Sequence, residues 1–207
     1  MYIKNMAISR ILYLGTDPSR FGKKVFHCPL IGTHPLPLPS PVLDAWDQFT
    51  HLIVTSPNAA HILSSHDLNG KKILAIGKGT AQILGDCFAI SHPETQEGMI
   101  TLLKGLDLKE SYILYPRSSI ARPLLANYLH EAGIRHVTCD LYETIYLKPD
   151  PLPNLADFDE VVFTSPSIVK AFMAAFGEVP CHLKLTCIGP ITEKELMGVS
   201  SIKVFVI

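Results

Sequence analysis

The sequence predicts an α/β protein built from two small parallel sheets, because it combines an apolar composition, strand–helix alternation and an internal repeat. The chain has 207 residues, of which 47% are hydrophobic and 18% charged, so it can bury a substantial core. Short apolar runs alternate with amphipathic helical patterns, which is typical of a parallel sheet covered by helices on both faces. Five segments recur in the same order about 102 to 114 residues apart, which indicates two duplicated units.

The repeat pairs each segment of the first half with a counterpart further along the chain. In chain order the pairs are ILYLG from Ile11 with ILYPR from Ile113, HCPLIGT from His27 with TCDLYET from Thr138, the alternating prolines from Pro35 with those from Pro149, IVTSPNAAHIL from Ile53 with VFTSPSIVKAF from Val162, and ILAIGKGTAQIL from Ile73 with LTCIGPITEKEL from Leu185. One match could reflect the general similarity of buried strands, but five in register indicate duplication.

The individual elements follow from short patterns within these segments. Residues 52–54 and 161–163 are continuous apolar runs, as expected of strands buried on both faces, and residues 73–76 and 185–188 are predicted as strands that each end at a glycine. Residues 124–132 and 168–176 carry apolar faces at helical spacing, and they end at Gly133 and Gly177. The proline-rich stretches 35–41 and 148–154 resist helix and cannot fill a sheet interior, so the chain is expected to cross between domains near residues 30–36 and 141–147.

Composition argues against several classes of function. The formal net charge is −1 without a dense basic cluster, so nucleic acid and anionic membranes are not expected as partners. No run approaches the roughly 20 apolar residues that cross a bilayer, and a cytoplasmic protein is expected. The five cysteines lack CxxC spacing and are expected to be buried, reduced thiols. The histidines form no zinc pattern, so no metal is expected.

Hydroxyl-rich turns follow the predicted strands and form the candidate binding site. In an open parallel sheet such turns lie at the carboxyl ends of the strands, where ligands bind. The helices that follow offer unpaired N–H groups and a dipole that favours anions. Ser, Thr and Asn are also ordinary N-caps, but several turns converging on one crevice favour a ligand with several carboxylates or phosphates. The candidate residues are Thr55, Ser56, Asn58, Gly79, Thr80 and Ser118, with Ser165 and Thr192 in the other half.

Few ionisable side chains accompany these turns. Arg117 and Arg122 flank one turn, where they could pair carboxylates bidentately or simply begin a solvated helix. Tyr142 lies in the second crossing segment, where its hydroxyl could reach the ligand or its ring could serve packing alone. The P-loop pattern GxxxxGKS/T and the fingerprint GxGxxG are both absent, so no nucleotide cofactor is predicted.

Taken together, these motifs resemble the uroporphyrinogen-III synthase family. The matching segments are TSPNAA at Thr55, AIGKGTA at Ala75, YPRSSIARPLL at Tyr115, DLYET at Asp140, FTSPS at Phe163 and CIGPIT at Cys187. The resemblance implies two flavodoxin-like domains with parallel sheets, joined by a two-stranded antiparallel linker near residues 30–36 and 141–147. One domain would be discontinuous, over 1–35 plus 146–207, and the other continuous, over 36–145.

The resemblance also implies a reaction. Hydroxymethylbilane, a linear tetrapyrrole that carries several carboxylates, would lose water and close with inversion of ring D to uroporphyrinogen III in haem biosynthesis. Tyr142 matches the family's linker tyrosine and would assist loss of the hydroxyl group, while the hydroxyl-rich turns, Arg117 and Arg122 would hold the carboxylates. The resemblance further implies no metal or organic cofactor, a monomer, and hydroxymethylbilane synthase as the upstream donor of substrate.

The sequence departs from the family pattern in the discontinuous domain. Only residues 17–24 separate its first two strands, whereas a helix needs about 10 residues, and the usual final helix is missing. Ile191 and Glu193 replace Thr and Ala in the second glycine turn. We therefore expect most substrate contacts on the continuous domain, and exposed apolar surface or a covering partner on the other. Two further hypotheses are a non-catalytic binder of a polycarboxylate small molecule and a flavodoxin-like electron carrier.

Overall fold

The computed structural model describes residues 10–22 and 24–207, and the chain divides into two compact units. Unit 1 comprises Met1–Gly32 and Ile145–Ile207, and unit 2 comprises Thr33–Thr144. Residues 1–9 of the predicted discontinuous domain lie outside this description. No helix in the described ranges combines the length and apolarity needed to span a membrane.

Eleven strands and seven α-helices make up the described chain. The strands are β1 (Ile11–Tyr13), β2 (Phe26–His27), β3 (Ile31–Pro35), β4 (His51–Val54), β5 (Lys72–Ile76), β6 (Ala89–Ser91), β7 (Ile113–Ser118), β8 (His136–Tyr146), β9 (Glu160–Phe163), β10 (Lys184–Cys187) and β11 (Val204–Val206). The helices are α1 (Ser40–Asp44), α2 (Pro57–Leu63), α3 (Lys78–Leu84), α4 (Gln96–Lys104), α5 (Leu124–Glu131), α6 (Pro166–Phe176) and α7 (Pro190–Val199).

The elements predicted from apolar runs and periodicity are confirmed. The four buried strands appear as β4, β5, β9 and β10, and the two helices as α5 and α6. Gly177 caps α6 at a φ of 81°, and Gly133 follows α5 at a φ of 65°; both angles are left-handed values that favour glycine. The short stretch between β1 and β2 holds a single 3-10 turn at Ser19–Phe21 in its described part, as its length requires.

The two sheets repeat one spatial arrangement. Unit 1 has the strand order β11-β10-β9-β1-β2, and the second sheet has the order β6-β5-β4-β7-β8 followed by β3. All neighbouring pairs from β11 to β2 and from β6 to β8 are parallel. The sequence repeat pairs β1 with β7, β2 with β8, β9 with β4, and β10 with β5, so equivalent segments occupy equivalent places. The duplication predicted from the sequence is therefore confirmed.

The two units differ in where the chain enters this arrangement. Numbered along the chain, the strands of unit 1 have the spatial order 2-1-3-4-5, which is the flavodoxin order. In unit 2 the first strand along the chain is β4, which corresponds to β9, the third strand of unit 1. The same spatial arrangement therefore has the order 3-2-1-4-5 in unit 2. The order reverses at the same place in both sheets, between β9 and β1 and between β4 and β7. Ligands of open parallel sheets bind at this switch point.

Apolar side chains cover both faces of the sheet in unit 2. Leu52 and Val54 of β4 pack with α1 and α2 on one face, whereas Ile53 packs with α4 and α5 on the other. This alternation explains why β4 is apolar throughout. In unit 1, α6 and α7 cover one face, and among the described residues the opposite face carries a small apolar cluster around Val162.

Unit 1 exposes apolar surface near its edge strand, as its shortened sequence predicts. Phe26 on β2 is 55% exposed. It lines a cavity of about 500 Å³ together with Ile11, Val25 and Phe158.

The cysteines follow the prediction at three of five positions. Cys28, Cys139 and Cys187 are buried, and burial raises the pKa of the Cys139 thiol to about 11. Cys87 is half-buried. The prediction is wrong for Cys181, which is exposed because it lies in the loop between α6 and β10.

Candidate functional site

Polar side chains gather at the switch point of unit 2, where β4 and β7 end side by side. Thr55 and Ser56 directly follow β4, and Arg117 and Ser118 end β7. A register shift between Arg117 and Ser118 places Tyr142 of β8 opposite Ser118. Such irregularities re-aim side chains and often accompany functional sites. The structure thus brings five of the predicted residues together at the carboxyl ends of neighbouring strands in a single sheet.

A hydroxyl pair joins two of these residues. Ser56 is the N-cap of α2, and its Oγ accepts a hydrogen bond from the N–H of Ala59 at 3.1 Å. The same Oγ lies 2.9 Å from the Oη of Tyr142, whose side chain is buried. Either hydroxyl can be the donor in this contact; when Ser56 donates, the phenol oxygen accepts and the proton of Tyr142 is free for a ligand. A phenol that accepts in this way is a stronger donor toward a ligand.

Arg117 keeps most of its hydrogen-bonding capacity. Its Nε lies 3.6 Å from Oδ1 of Asp140, an ion pair that is too long for a hydrogen bond. Another guanidinium nitrogen donates to the carbonyl oxygen of Ala121 over a long 3.4 Å. The neighbouring Ser118 Oγ is buried and has no partner among the described residues. Arg117 and Ser118 can therefore bind a carboxylate without breaking a strong existing contact.

Tyr115 is a polar residue near this site that the sequence analysis did not single out. It is completely buried in the apolar layer of β7, and its hydroxyl has no hydrogen-bond partner in the described chain. Burial raises the pKa of this phenol, and the nearby Thr55 hydroxyl offsets part of the rise, although its geometry falls short of a hydrogen bond. The available sequence signal was a tyrosine hydroxyl within the apolar first part of β7, residues 113–116.

Unpartnered polar atoms are concentrated at the carboxyl ends of the strands in unit 2. In the described part of this unit, the buried side-chain polar atoms without a partner belong to Ser91, Tyr115, Arg117 and Ser118. Ser91 is the last residue of β6, Arg117 and Ser118 are the last two of β7, and Tyr115 lies in the middle of β7. Each such atom costs about 1–3 kcal/mol when it stays unsatisfied, so their concentration marks a place where a ligand or water would complete the bonding.

Arg122 is paired with a carboxylate of its own chain. Its guanidinium makes a bidentate contact with Glu97, with N–O distances of 2.7 and 3.0 Å. These hydrogen bonds from Arg122 lower the pKa of the Glu97 carboxyl to about 2, and the pair raises the pKa of Arg122. The predicted bidentate geometry therefore exists, but its partner is Glu97, which the sequence analysis did not identify.

The residues predicted around α2 and α3 are less accessible. Thr80 is buried in the first turn of α3, where its neighbour Gly79 is half-buried. The N–H of Lys78 donates to Oε1 of Glu94 at 3.1 Å, so a carboxylate of the chain already lies at the start of this helix. Asn58 is half-buried in the first turn of α2.

Unit 1 lacks the hydroxyl pair of unit 2. Ser165, the counterpart of Ser56, is the N-cap of α6, but its Oγ makes no capping bond and is buried without a partner in the described chain. The repeat places Ile31 where unit 2 has Tyr142, and an isoleucine cannot bond Ser165. Thr192 is buried in the first turn of α7. The hydroxyl pair is therefore a property of unit 2.

Comparisons with known proteins agree on one family. A family model described as "Uroporphyrinogen-III synthase HemD" matches residues 16–205. A curated protein named "Putative uroporphyrinogen-III synthase" from Methanothermobacter thermautotrophicus is 28% identical over 142 residues. That match covers 60% of this chain and 56% of the relative, so it spans little more than half of the relative's length.

Two solved structures share the fold. The uroporphyrinogen-III synthetase of Helicobacter pylori 26695 has a TM-score of 0.66 and 22% identity, and the match covers 96% of this chain and 92% of that chain. A mutant uroporphyrinogen III synthase of the extremely thermophilic bacterium Thermus thermophilus has a TM-score of 0.64 and 19% identity, with coverages of 95% and 92%. At these identities the likeness concerns the α/β fold and its parallel sheets.

Proposed function

The chain belongs to the uroporphyrinogen-III synthase family, an enzyme family of tetrapyrrole biosynthesis, and from this we propose that it closes hydroxymethylbilane to uroporphyrinogen III. The observation that carries the proposal is the Ser56–Tyr142 hydroxyl pair, which lies at the switch point beside the under-used donors of Arg117 and Ser118. This arrangement offers a proton donor next to groups that bind carboxylates. The reaction requires both.

The substrate carboxylates are bound by neutral donors and one arginine in this proposal. Thr55, Ser56 and Ser118 supply hydroxyl groups, and Arg117 supplies a guanidinium whose present contacts are long. Neutral donors hold an acidic ligand without a large positive charge, in agreement with the net charge of −1. The remaining proposed binding residues are Asn58, Gly79 and Thr80 in unit 2 and Ser165 and Thr192 in unit 1.

Arg122 has a conditional place in the proposal. Its two short contacts with Glu97 mean that it binds substrate only by exchanging one carboxylate for another. Arg117 needs no such exchange. Of the two arginines, we therefore assign the stronger contribution to substrate binding to Arg117.

Tyr142 is the proposed acid. It donates its proton to the hydroxymethyl oxygen as the C–O bond breaks, and water leaves. The proton returns to the phenolate when the pyrrole carbon that closes the ring loses its own. The substrate is reactive enough to close without an enzyme, though without inversion of ring D. The protein therefore acts mainly by holding a folded geometry, which is a proximity and orientation effect.

The proposal includes the domain organisation that the family implies. It assigns residues 1–35 plus 146–207 and 36–145 to two flavodoxin-like domains, of which the second is circularly permuted. Two backbone hydrogen bonds support the antiparallel linker: Leu147 N–H donates to Leu30 at 2.9 Å, and Leu36 N–H donates to Leu141 at 2.8 Å. We further propose that the protein is a cytoplasmic monomer and that hydroxymethylbilane synthase supplies its substrate.

Product analysis tests the proposed function. Hydroxymethylbilane is generated in situ, the protein is added, and the oxidised porphyrins are separated into isomers I and III. Isomer III above the level of a reaction without protein is the expected result. Isomer I alone would reject the enzyme and leave a non-catalytic binder of a polycarboxylate.

A further inference from the structure

We propose that Gln96 is a positioning residue for the reaction, because it fixes the segment that links β7 to α5. This link segment comprises residues 119–123. It directly follows Arg117 and Ser118, so its position determines how these two donors face the substrate. The inference rests on the proposed function and extends it to a residue that touches no substrate.

The geometry shows one side chain holding the far end of the link segment. Gln96 is the first residue of α4, and its side chain is buried. Its Nε2 donates to the carbonyl oxygen of Arg122 at 3.2 Å, and its Oε1 accepts from the N–H of Leu125 at 3.2 Å. Leu125 lies in the first turn of α5, where N–H groups have no partner within the helix. The amide thus accepts from the buried Leu125 N–H and donates to the partly buried carbonyl of Arg122.

The other end of the link segment is attached to the candidate site. The N–H of Ser119 donates to the carbonyl oxygen of Tyr142 at 3.0 Å. The N–H of Ala121 donates to the carbonyl oxygen of Ser118 at 3.0 Å, and the carbonyl oxygen of Ala121 accepts from Arg117. A shift of the link segment would therefore move Arg117, whereas the Tyr142 hydroxyl keeps its separate contact with Ser56. Gln96 is the buried anchor at the opposite end.

The Glu97–Arg122 ion pair cannot replace this anchor. Its side chains are 53% and 41% exposed, so water competes with the contact. It also acts on the Arg122 side chain, whereas Gln96 holds the backbone on both sides of Pro123. The backbone tether is the contact that restricts where the segment can lie.

The test replaces Gln96 by methionine, which keeps the length of the side chain and removes both hydrogen bonds. We expect Gln96→Met to raise KM for hydroxymethylbilane about tenfold with kcat within twofold, since binding donors are displaced while the acid remains. Gln82→Met is the matched control, because Gln82 is exposed on α3, and its KM should equal that of the wild type. Both are measured where circular dichroism shows a folded protein.

A second variant keeps the test decisive if the methionine variant folds poorly. Gln96→Glu retains an oxygen for the Leu125 N–H and loses the donor to Arg122, so we expect an intermediate KM. Amide hydrogen exchange at Ser119 and Ala121 should accelerate in each folded Gln96 variant and not in Gln82→Met. An unchanged KM in an active, folded variant would overturn the role of Gln96 alone. A wild type that forms no isomer III would overturn the proposed function and this role with it.

Discussion

The most informative substitution is Tyr142→Phe, which removes one hydroxyl group and leaves the ring in place. The ring is almost fully buried and belongs to the apolar layer that includes Leu141, so the phenylalanine should occupy the same space. The change breaks the 2.9 Å contact with Ser56. Ser56 keeps its bond from Ala59 N–H, so no polar atom loses all of its partners.

The magnitudes follow from these contacts. Loss of one neutral hydrogen bond with the remaining partner still satisfied should lower the free energy of unfolding by about 1 kcal/mol. Loss of a general acid should lower the rate of isomer III formation about 100-fold, at the low end of such effects, because the substrate is intrinsically reactive. That factor corresponds to about 2.7 kcal/mol of transition-state stabilisation. The large kinetic effect and the small stability effect are separable.

The assay is the initial rate of isomer III formation from bilane generated in situ. Spontaneous closure to isomer I serves as an internal reference reaction, because the fraction of isomer I in the product should rise as the enzymatic rate of isomer III formation falls. Tyr112→Phe is the control, because Tyr112 is also in unit 2 but lies just before the amino end of β7, away from the carboxyl ends that form the candidate site. An unchanged rate of isomer III formation in folded Tyr142→Phe would remove this phenol from the mechanism.

Three further predictions concern stability and reactivity. The Arg122 guanidinium holds the pKa of Glu97 at about 2 against an ordinary 4.5, so the stabilisation is complete above pH 4.5 and is lost as pH falls through 2. Glu97→Gln should therefore lower the free energy of unfolding by less than about 1 kcal/mol at pH 6, and this difference in urea titrations should shrink as pH falls toward and below 2. A thiol reagent should label Cys181 in the native protein and reach buried Cys139 only after unfolding, which mass spectrometry of peptides would show, and fast native labelling of Cys139 would contradict the structure. Gly98→Ala should cost about 2–3 kcal/mol in chemical denaturation, because a Cβ there would lie 1.9 Å from the carbonyl oxygen of Pro93, and a neutral effect would refute that packing.

The sequence predicted the strands and the duplication well because both depend on local patterns. Residues 52–54 are apolar throughout because helices cover both faces of β4, and residues 161–163 are apolar because helices cover one face of β9 and a small apolar cluster covers the other. A run of three such residues suffices to identify each strand. The repeat also carries the strand order. In the repeats that begin at Ile11 and His27, the earlier copy lies in unit 1, whereas in those that begin at Ile53 and Ile73 the earlier copy lies in unit 2. This change corresponds to the different strands at which the chain enters the two sheets.

The candidate site was only partly accessible to such reasoning. Thr55 and Ser56 follow β4 and Ser118 ends β7, so the rule for parallel sheets placed them together. The contact of Tyr142 with Ser56 spans 86 residues and depends on the register shift in β7, which no short motif encodes. For the same reason, nothing in the local pattern around Glu97 indicated its pairing.

The pairing of Arg122 with Glu97 shows the limit most clearly. Both residues are exposed enough to appear as ordinary charged positions, and 25 residues separate them. From sequence alone, Arg117 and Arg122 are equally good candidates to bind a substrate carboxylate. The three-dimensional structure distinguishes them, because one guanidinium is already bidentate and the other makes only long contacts.

The interrupted path of the chain through unit 1 has a consequence for biosynthesis. Strand β1 pairs with β9, so Ile11 meets Glu160 only after the whole of unit 2 has been translated. Unit 2 is continuous and can acquire its native structure while Ile145–Ile207 are still inside or leaving the ribosome. During that interval the early strands, with Phe26 among them, remain without their sheet, and nascent chains are then the natural targets of chaperones.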